Sequence, residues 1–230
     1  MVLTQIFKVP SFYSSLFNDL GLEIFFLTII LAVTITIYKT TKESYLLTKH
    51  KGIKYFRNAF LFFAIAFSFR FLFYLLSYIH NYQLINLLNL SPRMLGSGSM
   101  LVYTFTSSIA LLSLLYALSY NKFKNKELPG YLVYVVGILI SIVSFFAFNS
   151  LLIIHTLIAS IIILSVIIQK KKSKKNNLGI TYIFLAIFWI LSIFGDLFYF
   201  SFFDSFRSIF YSTLILILLY ISFRTIRRIK

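Results

Sequence analysis

The chain has 230 residues, of which 60% are hydrophobic and 12% charged, with a formal net charge of +16 and no cysteine. Mean hydropathy is +0.90, while soluble domains are only about 45–50% apolar, so lipid must be the solvent for most of this surface. Without cysteine there can be no disulfide, thiolate nucleophile, Cys-bound zinc or iron–sulfur cluster.

A helix needs about 20 apolar residues to cross the roughly 30 Å hydrocarbon layer. Residues 1–19 hold Lys8 and Pro10 but lack the basic start and small-residue cleavage site of a secretory signal, so they are expected to form an outer or interfacial arm. Seven predicted spans follow: Leu20–Tyr38, Tyr55–Ile79, Ser97–Ser119, Tyr131–Phe148, Leu151–Gln169, Gly179–Phe200 and Arg207–Phe223. Pro129-Gly130 opens the fourth, where a missing N–H costs nothing. Asn149-Ser150 is expected to turn the chain between the fourth and fifth, and Gly96-Ser97-Gly98-Ser99 to form a flexible entrance to the third. The expected fold class is an all-α polytopic bundle in residues 20–223, with a basic tail at 224–230.

The basic residues fall in every second connection. Lys39, Lys42, Lys49, Lys51, Lys54 and Arg57 follow the first span, Lys122, Lys124 and Lys126 the third, and Lys170, Lys171, Lys172, Lys174 and Lys175 the fifth. Arg224, Arg227, Arg228 and Lys230 end the chain, whereas the opposite side has Lys8, Arg93 and Arg207. Such asymmetry predicts a cytoplasmic C-terminus, an outer N-terminus and residence in the cell membrane. Topology therefore accounts for the net charge, and no nucleic-acid partner is expected. The bilayer itself is the expected partner, with Lys170–Lys175 lying against anionic headgroups at about 1 kcal/mol per basic residue near the surface.

Spans two and six share a pattern. Gly52-Ile53-x-Tyr55-x-x-x-Ala59 matches Gly179-Ile180-x-Tyr182-x-x-x-Ala186, and Phe67 then matches Phe194. Two three-helix units of like orientation joined by span four would give this 3+1+3 repeat, an arrangement known among transporters.

Charged groups within a span cost about 2.5–3.5 kcal/mol at its centre on insertion scales. Arg70 lies roughly 14 Å below the outer end of span two at 1.5 Å per residue, and Asp196 lies in the outer part of span six. The two could pair. With Glu23 and His155 they form a candidate ligand or ion-pair cluster in the outer half, whose bland alternative is an ion pair plus two snorkelling interfacial groups. In span three, Ser99, Tyr103, Thr106, Ala110, Ser113 and Ala117 recur at helical spacing. That face could line a cavity, with Trp189 from span six, or let helices pack closely.

No motif names a reaction. The last span lacks a Schiff-base Lys, Gly195-Asp196 lacks the first Gly and the second Asp of an intramembrane aspartyl protease, and Gly96–Ser99 has the wrong order for a rhomboid dyad. His50 is expected on the opposite side from His80 and His155, so they do not face as haem ligands; no metal-site motif appears. No catalytic residue, metal or cofactor is expected, and the protein is not expected to be an enzyme.

Residues Ile37-Tyr38-Lys39-Thr40-Thr41-Lys42, then Tyr55-Phe56-Arg57-Asn58-Ala59-Phe60 and on to Arg70, resemble small uncharacterised seven-helix membrane proteins of archaea. In style they are similar to the membrane input modules of prokaryotic sensors. The resemblance implies no known activity; the outer polar cluster is what suggests a sensor-like or ligand-binding module for a small or amphipathic molecule, coupled to a separate cytoplasmic or membrane protein partner. A small-solute transporter built on the helix repeat and a structural or lipid-interacting scaffold are the alternatives.

Overall fold

A computed structural model describes residues 16–81, 92–120, 128–172, 179–197 and 204–229. Among them are seven helices and no strand: α1 (Leu16–Thr48), α2 (Lys51–Asn81), α3 (Pro92–Ser119), α4 (Leu128–Phe146), α5 (Phe148–Lys172), α6 (Gly179–Leu197) and α7 (Asp204–Ile229). Five carry apolar stretches long enough to cross a membrane, while the described apolar stretches of α4 and α6 are shorter, at Gly130–Phe146 and Gly179–Ser192.

Several boundaries differ from the sequence expectation, mostly toward more helix. The first connection, expected to be a basic loop, is helical on both sides of Lys49 and His50. Lys39 and Glu43 stand at i,i+4 there, and Thr40, Thr41 and Thr48 each return a hydroxyl hydrogen bond to a carbonyl four residues back. Lys49 ends α1 in a left-handed conformation, φ 51°, with its N–H on Tyr45 O at 2.7 Å. Pro92 starts α3, so Gly96–Ser99 are helical rather than a flexible entrance; proline is well suited to a first turn. The α4–α5 break falls at Ala147, where Ser150 N–H caps the Ala147 carbonyl at 2.9 Å, and Asn149-Ser150 belong to the first turn of α5. The expected tail continues α7 as helix, with Thr225 buried and bonded to Ile221 O at 2.8 Å. Residues 1–15 of the expected arm lie outside the described residues.

The bundle closes in a ring. Helix α1 packs on α2, α2 on α3, α3 on α5, α5 on α6, α6 on α7 and α7 on α1, with α4 outside against α3 and α5. Exchanging the two three-helix units maps the α3–α5 contact onto the α7–α1 contact, as a 3+1+3 arrangement requires. The core runs one residue out of the sequence match, however. The match aligns Tyr55 with Tyr182, whereas Phe56 is the residue that meets Tyr182, with ring centroids 5.2 Å apart, and Phe63 meets Trp189 at 4.8 Å.

Burial runs inside-out. Ile153, Leu157, Ile161 and Leu164 on α5, and Leu132, Val135, Leu139 and Ile142 on α4, are exposed. The interior holds an apolar and aromatic core together with many hydroxyls: Ser99, Thr104, Thr106, Ser107, Ser108 and Ser113 of α3 are all buried. Water would penalise such an apolar exterior, whereas hydrocarbon solvates it.

Candidate functional site

The interior of the bundle is organised around aromatic rings from α1, α2 and α6. Phe67 meets Phe26 edge-on at 6.1 Å, Phe188 at 5.9 Å and Trp189 at 5.7 Å. Helical spacing makes this possible. Phe56, Phe60, Phe63 and Phe67 recur at three and four residues on α2, as do Tyr182, Leu185 and Trp189 on α6, so each helix turns one face inward.

Three ionisable side chains adjoin these rings, and all three are withdrawn from the surface: Glu23 and Arg70 are 6% exposed and His155 is 0% exposed. Glu23, on α1, accepts a hydrogen bond from the Tyr211 hydroxyl of α7. Arg70, on α2, donates from Nη1 to Ser192 Oγ of α6 at 3.2 Å, and its guanidinium carbon lies 5.7 Å from the Phe67 ring centre. Such a contact adds cation–π attraction to the charge-assisted bond.

His155, on α5, bridges α3 and α6. Trp189 Nε1–H donates to His155 Nδ1 at 3.3 Å, and His155 Nε2 lies 3.0 Å from Ser108 Oγ. An indole N–H can only donate, so Nδ1 must be the acceptor and the proton of the neutral ring sits on Nε2. Nε2–H then donates to Ser108, whose own hydroxyl donates to Thr104 O at 2.7 Å. Each group in this relay has one direction, Trp189 to His155 to Ser108 to the α3 backbone. Burial of His155 replaces the interfacial position that the bland reading assigns to it.

The remaining predicted residues divide. Ser99, Tyr103 and Thr106 are buried on α3, but the Thr106 hydroxyl turns back to Val102 O at 2.7 Å, which is how a packed helix satisfies it. Asp196 stands four residues beyond Ser192 on α6, and its side chain, with the expected Arg70–Asp196 pair, lies outside the described residues. Lys170, Lys171 and Lys172 close α5 with side chains that are not described, and Lys174 and Lys175 lie outside the described residues. Three partners were not singled out by the sequence. Ser192 shares a helix face with Trp189 and Phe188 and could have been found from that spacing. Tyr211 is masked by its polar neighbours Ser212 and Thr213, and Ser108 by the many hydroxyls of α3.

Fold and interior together define a polytopic α-helical membrane protein with buried polar ties between its helices. The chain is similar to an uncharacterized protein of Archaeoglobus fulgidus, 28% identical over 217 residues that span 90% of this chain and 92% of that one. The archaeal resemblance thus extends well past the first two spans. No family model matches the chain, and no solved structure matches it.

Proposed function

We propose that this protein is a non-catalytic binding module of the cell membrane, which takes a small or amphipathic ligand in its outer half and passes the resulting helix rearrangement to a separate partner at its basic, cytoplasmic end. One observation carries the reading: Glu23, Arg70 and His155, from three different helices, are buried around one shared aromatic block. Ionisable groups within a membrane are expensive, and they mark functional sites more often than stable packing requires. The block touches α1, α2 and α6 directly, and its hydrogen bonds reach α3, α5 and α7. A ligand that moved one ring would therefore bear on six helices. Orientation is read from the basic residues of the sequence, of which Lys49 and Lys51 stand in the α1–α2 connection, at the end of α1 opposite Glu23.

Trp189 makes the reading testable, because it is the sole tryptophan of the chain and is hydrogen-bonded within the site. Protein in nanodiscs is titrated with panels of amino acids, carboxylates, amines and fatty acids while Trp189 emission is recorded. Saturable shifts that disappear in Arg70→Ala support the site; a panel without any saturable response counts against it. The exchange relation between the two three-helix units favours a second reading, a small-solute transporter. Robust flux of a binding solute into proteoliposomes would select the transporter over the signalling module. A scaffold would show neither binding nor flux.

A further inference from the structure

Arg57 sits in the seam between α1 and α2. Its guanidinium carbon lies 5.0 Å from the Tyr38 ring centre and 5.2 Å from that of Tyr45, so two rings of α1 bracket it. Those rings are about 10.5 Å apart along the helix, which sets Arg57 level with the residues midway between them. There Thr41 is buried and Lys42 turns outward. On α2, Lys54 one turn before Arg57 and Leu61 one turn after it are both exposed. Ring faces attract the cation, but its five N–H donors lie in the guanidinium plane. Arg57 Nε is enclosed without a hydrogen-bond partner, and among the described residues no carboxylate or carbonyl receives the terminal nitrogens. Glu43, the acid of this segment, stands two residues from Tyr45 and so about 160° around α1 from it, away from the seam.

We propose that the α1–α2 seam holds the headgroup of one anionic phospholipid, with its phosphodiester on Arg57 and with Lys42 and Lys54 beside it. A guanidinium offers phosphate two parallel N–H bonds, and rings stacked on its faces keep that fork in place. The depth suits a headgroup. Arg57 is six residues from Lys51, about 9 Å along α2 from the connection, and tyrosines gather at this level of a membrane interface. Deeper in, the seam turns apolar: Leu61 is 41% exposed about 6 Å beyond Arg57, and Ile35 is 48% exposed about 10.5 Å beyond Lys42. Charge at the phosphate level with exposed hydrocarbon directly inward matches a lipid better than a soluble anion. A choline headgroup would bring a cation against Lys42 and Lys54, which favours an anionic lipid over a zwitterionic one. The run Lys170–Lys175 differs in kind, as a row of point charges attracting the surface without a fork or stacked rings. The seam holds its lipid whether or not the outer half takes a ligand.

Native mass spectrometry of the full chain tests the seam. Protein delipidated in nonionic detergent is titrated with phosphatidylglycerol, phosphatidylcholine and inorganic phosphate, and the tightest-bound molecule is followed. The expected result is one phosphatidylglycerol held at least about tenfold more tightly than phosphatidylcholine, with inorganic phosphate not retained. Arg57→Gln should weaken that lipid about ten- to hundredfold, the worth of a charge-assisted bond, and Arg57→Lys, which keeps the charge without the fork, by less. Lys42→Gln and Lys54→Gln should each weaken it about fivefold; both positions are exposed, so they report on the seam even if Arg57→Gln does not fold. Joint replacement of Lys170, Lys171 and Lys172 by Gln should leave the tightest lipid unchanged. A purely structural Arg57 would lower the melting temperature of Arg57→Gln while its preference for phosphatidylglycerol stayed intact, and that result overturns the proposal. So does a loss confined to the Lys170–Lys172 variant. Inorganic phosphate held as tightly as phosphatidylglycerol would replace the lipid by a soluble anion and overturn it as well.

Discussion

The directed relay through His155 makes a quantitative prediction. Replacing Ser108 by alanine leaves the Nε2 proton of a fully buried imidazole without its acceptor, while Trp189 keeps its own bond to Nδ1. An unmet buried donor costs about 1–3 kcal/mol in soluble proteins. Between membrane helices, measured couplings average about 0.6 kcal/mol and reach about 1.7, because separated helices find other partners in the membrane. Ser108→Ala should therefore cost about 1 kcal/mol. His155→Ala should cost about 3 kcal/mol, since it also removes a ring buried where α3, α5 and α6 converge and leaves a cavity. Their coupling is the sharper quantity. In a double-mutant cycle of unfolding free energies measured in lipid–detergent micelles, the pair should couple by about 0.6–1.5 kcal/mol, with Trp189 emission altered in both variants that lack His155. Additivity within about 0.3 kcal/mol would mean that the Ser108–His155 bond does not hold α3 to α5, and the relay argument would fall.

Three further outcomes follow from other parts of the bundle. A methyl group on Gly137 of α4 would stand 2.8 Å from Ile109 Cγ1 of α3, so Gly137→Ala should lower stability by about 1–3 kcal/mol in the natural chain but cost much less when added to Ile109→Ala, itself destabilising, as compared in thermal melts of the four variants. The Arg57 guanidinium lies 5.0 Å from the Tyr38 ring centre and 5.2 Å from that of Tyr45, clamping α2 to α1 beside their connection. Arg57→Gln should cost about 1–2 kcal/mol by the same melts, and Arg57→Lys less. Because the natural chain has no cysteine, single cysteines report topology cleanly: in intact cells an impermeant maleimide should label Ser150→Cys but reach Arg227→Cys only after permeabilisation. The reverse pattern would invert the orientation.

The helical bundle was legible in the sequence because the hydrocarbon layer imposes a length on every apolar run, and all seven expected spans have a helix on them. Helix ends were not, because a hydropathy argument stops where charges begin, while the backbone stops where its hydrogen bonds do. Residues 39–48 show the difference: they are polar enough to read as a loop, yet the α1 backbone continues helical to Thr48, with the Thr hydroxyls satisfied on its own carbonyls. The repeat illustrates a related limit. Tyr55 and Tyr182 align as letters, but only Tyr182 is buried in the core, and Phe56 takes the corresponding inward position on α2. At the site, Glu23, Arg70 and His155 stood out because ionisable groups are scarce in an apolar chain. Their partners Tyr211, Ser192 and Ser108 are hydroxyls, which occur throughout these helices and acquire meaning only when a second helix brings a charge or an imidazole within 3 Å or so.

The most direct test is an experimental density map of the protein in a lipid bilayer, read around Phe26, Phe67 and Trp189 with and without a saturating ligand chosen by its shift of Trp189 emission. A ligand site predicts seven spans and non-protein density beside Phe26, Phe67, Trp189 and Arg70 when the ligand is present. The same region closed, and unchanged with or without the ligand, would make Glu23 and Arg70 structural ties and contradict the ligand site.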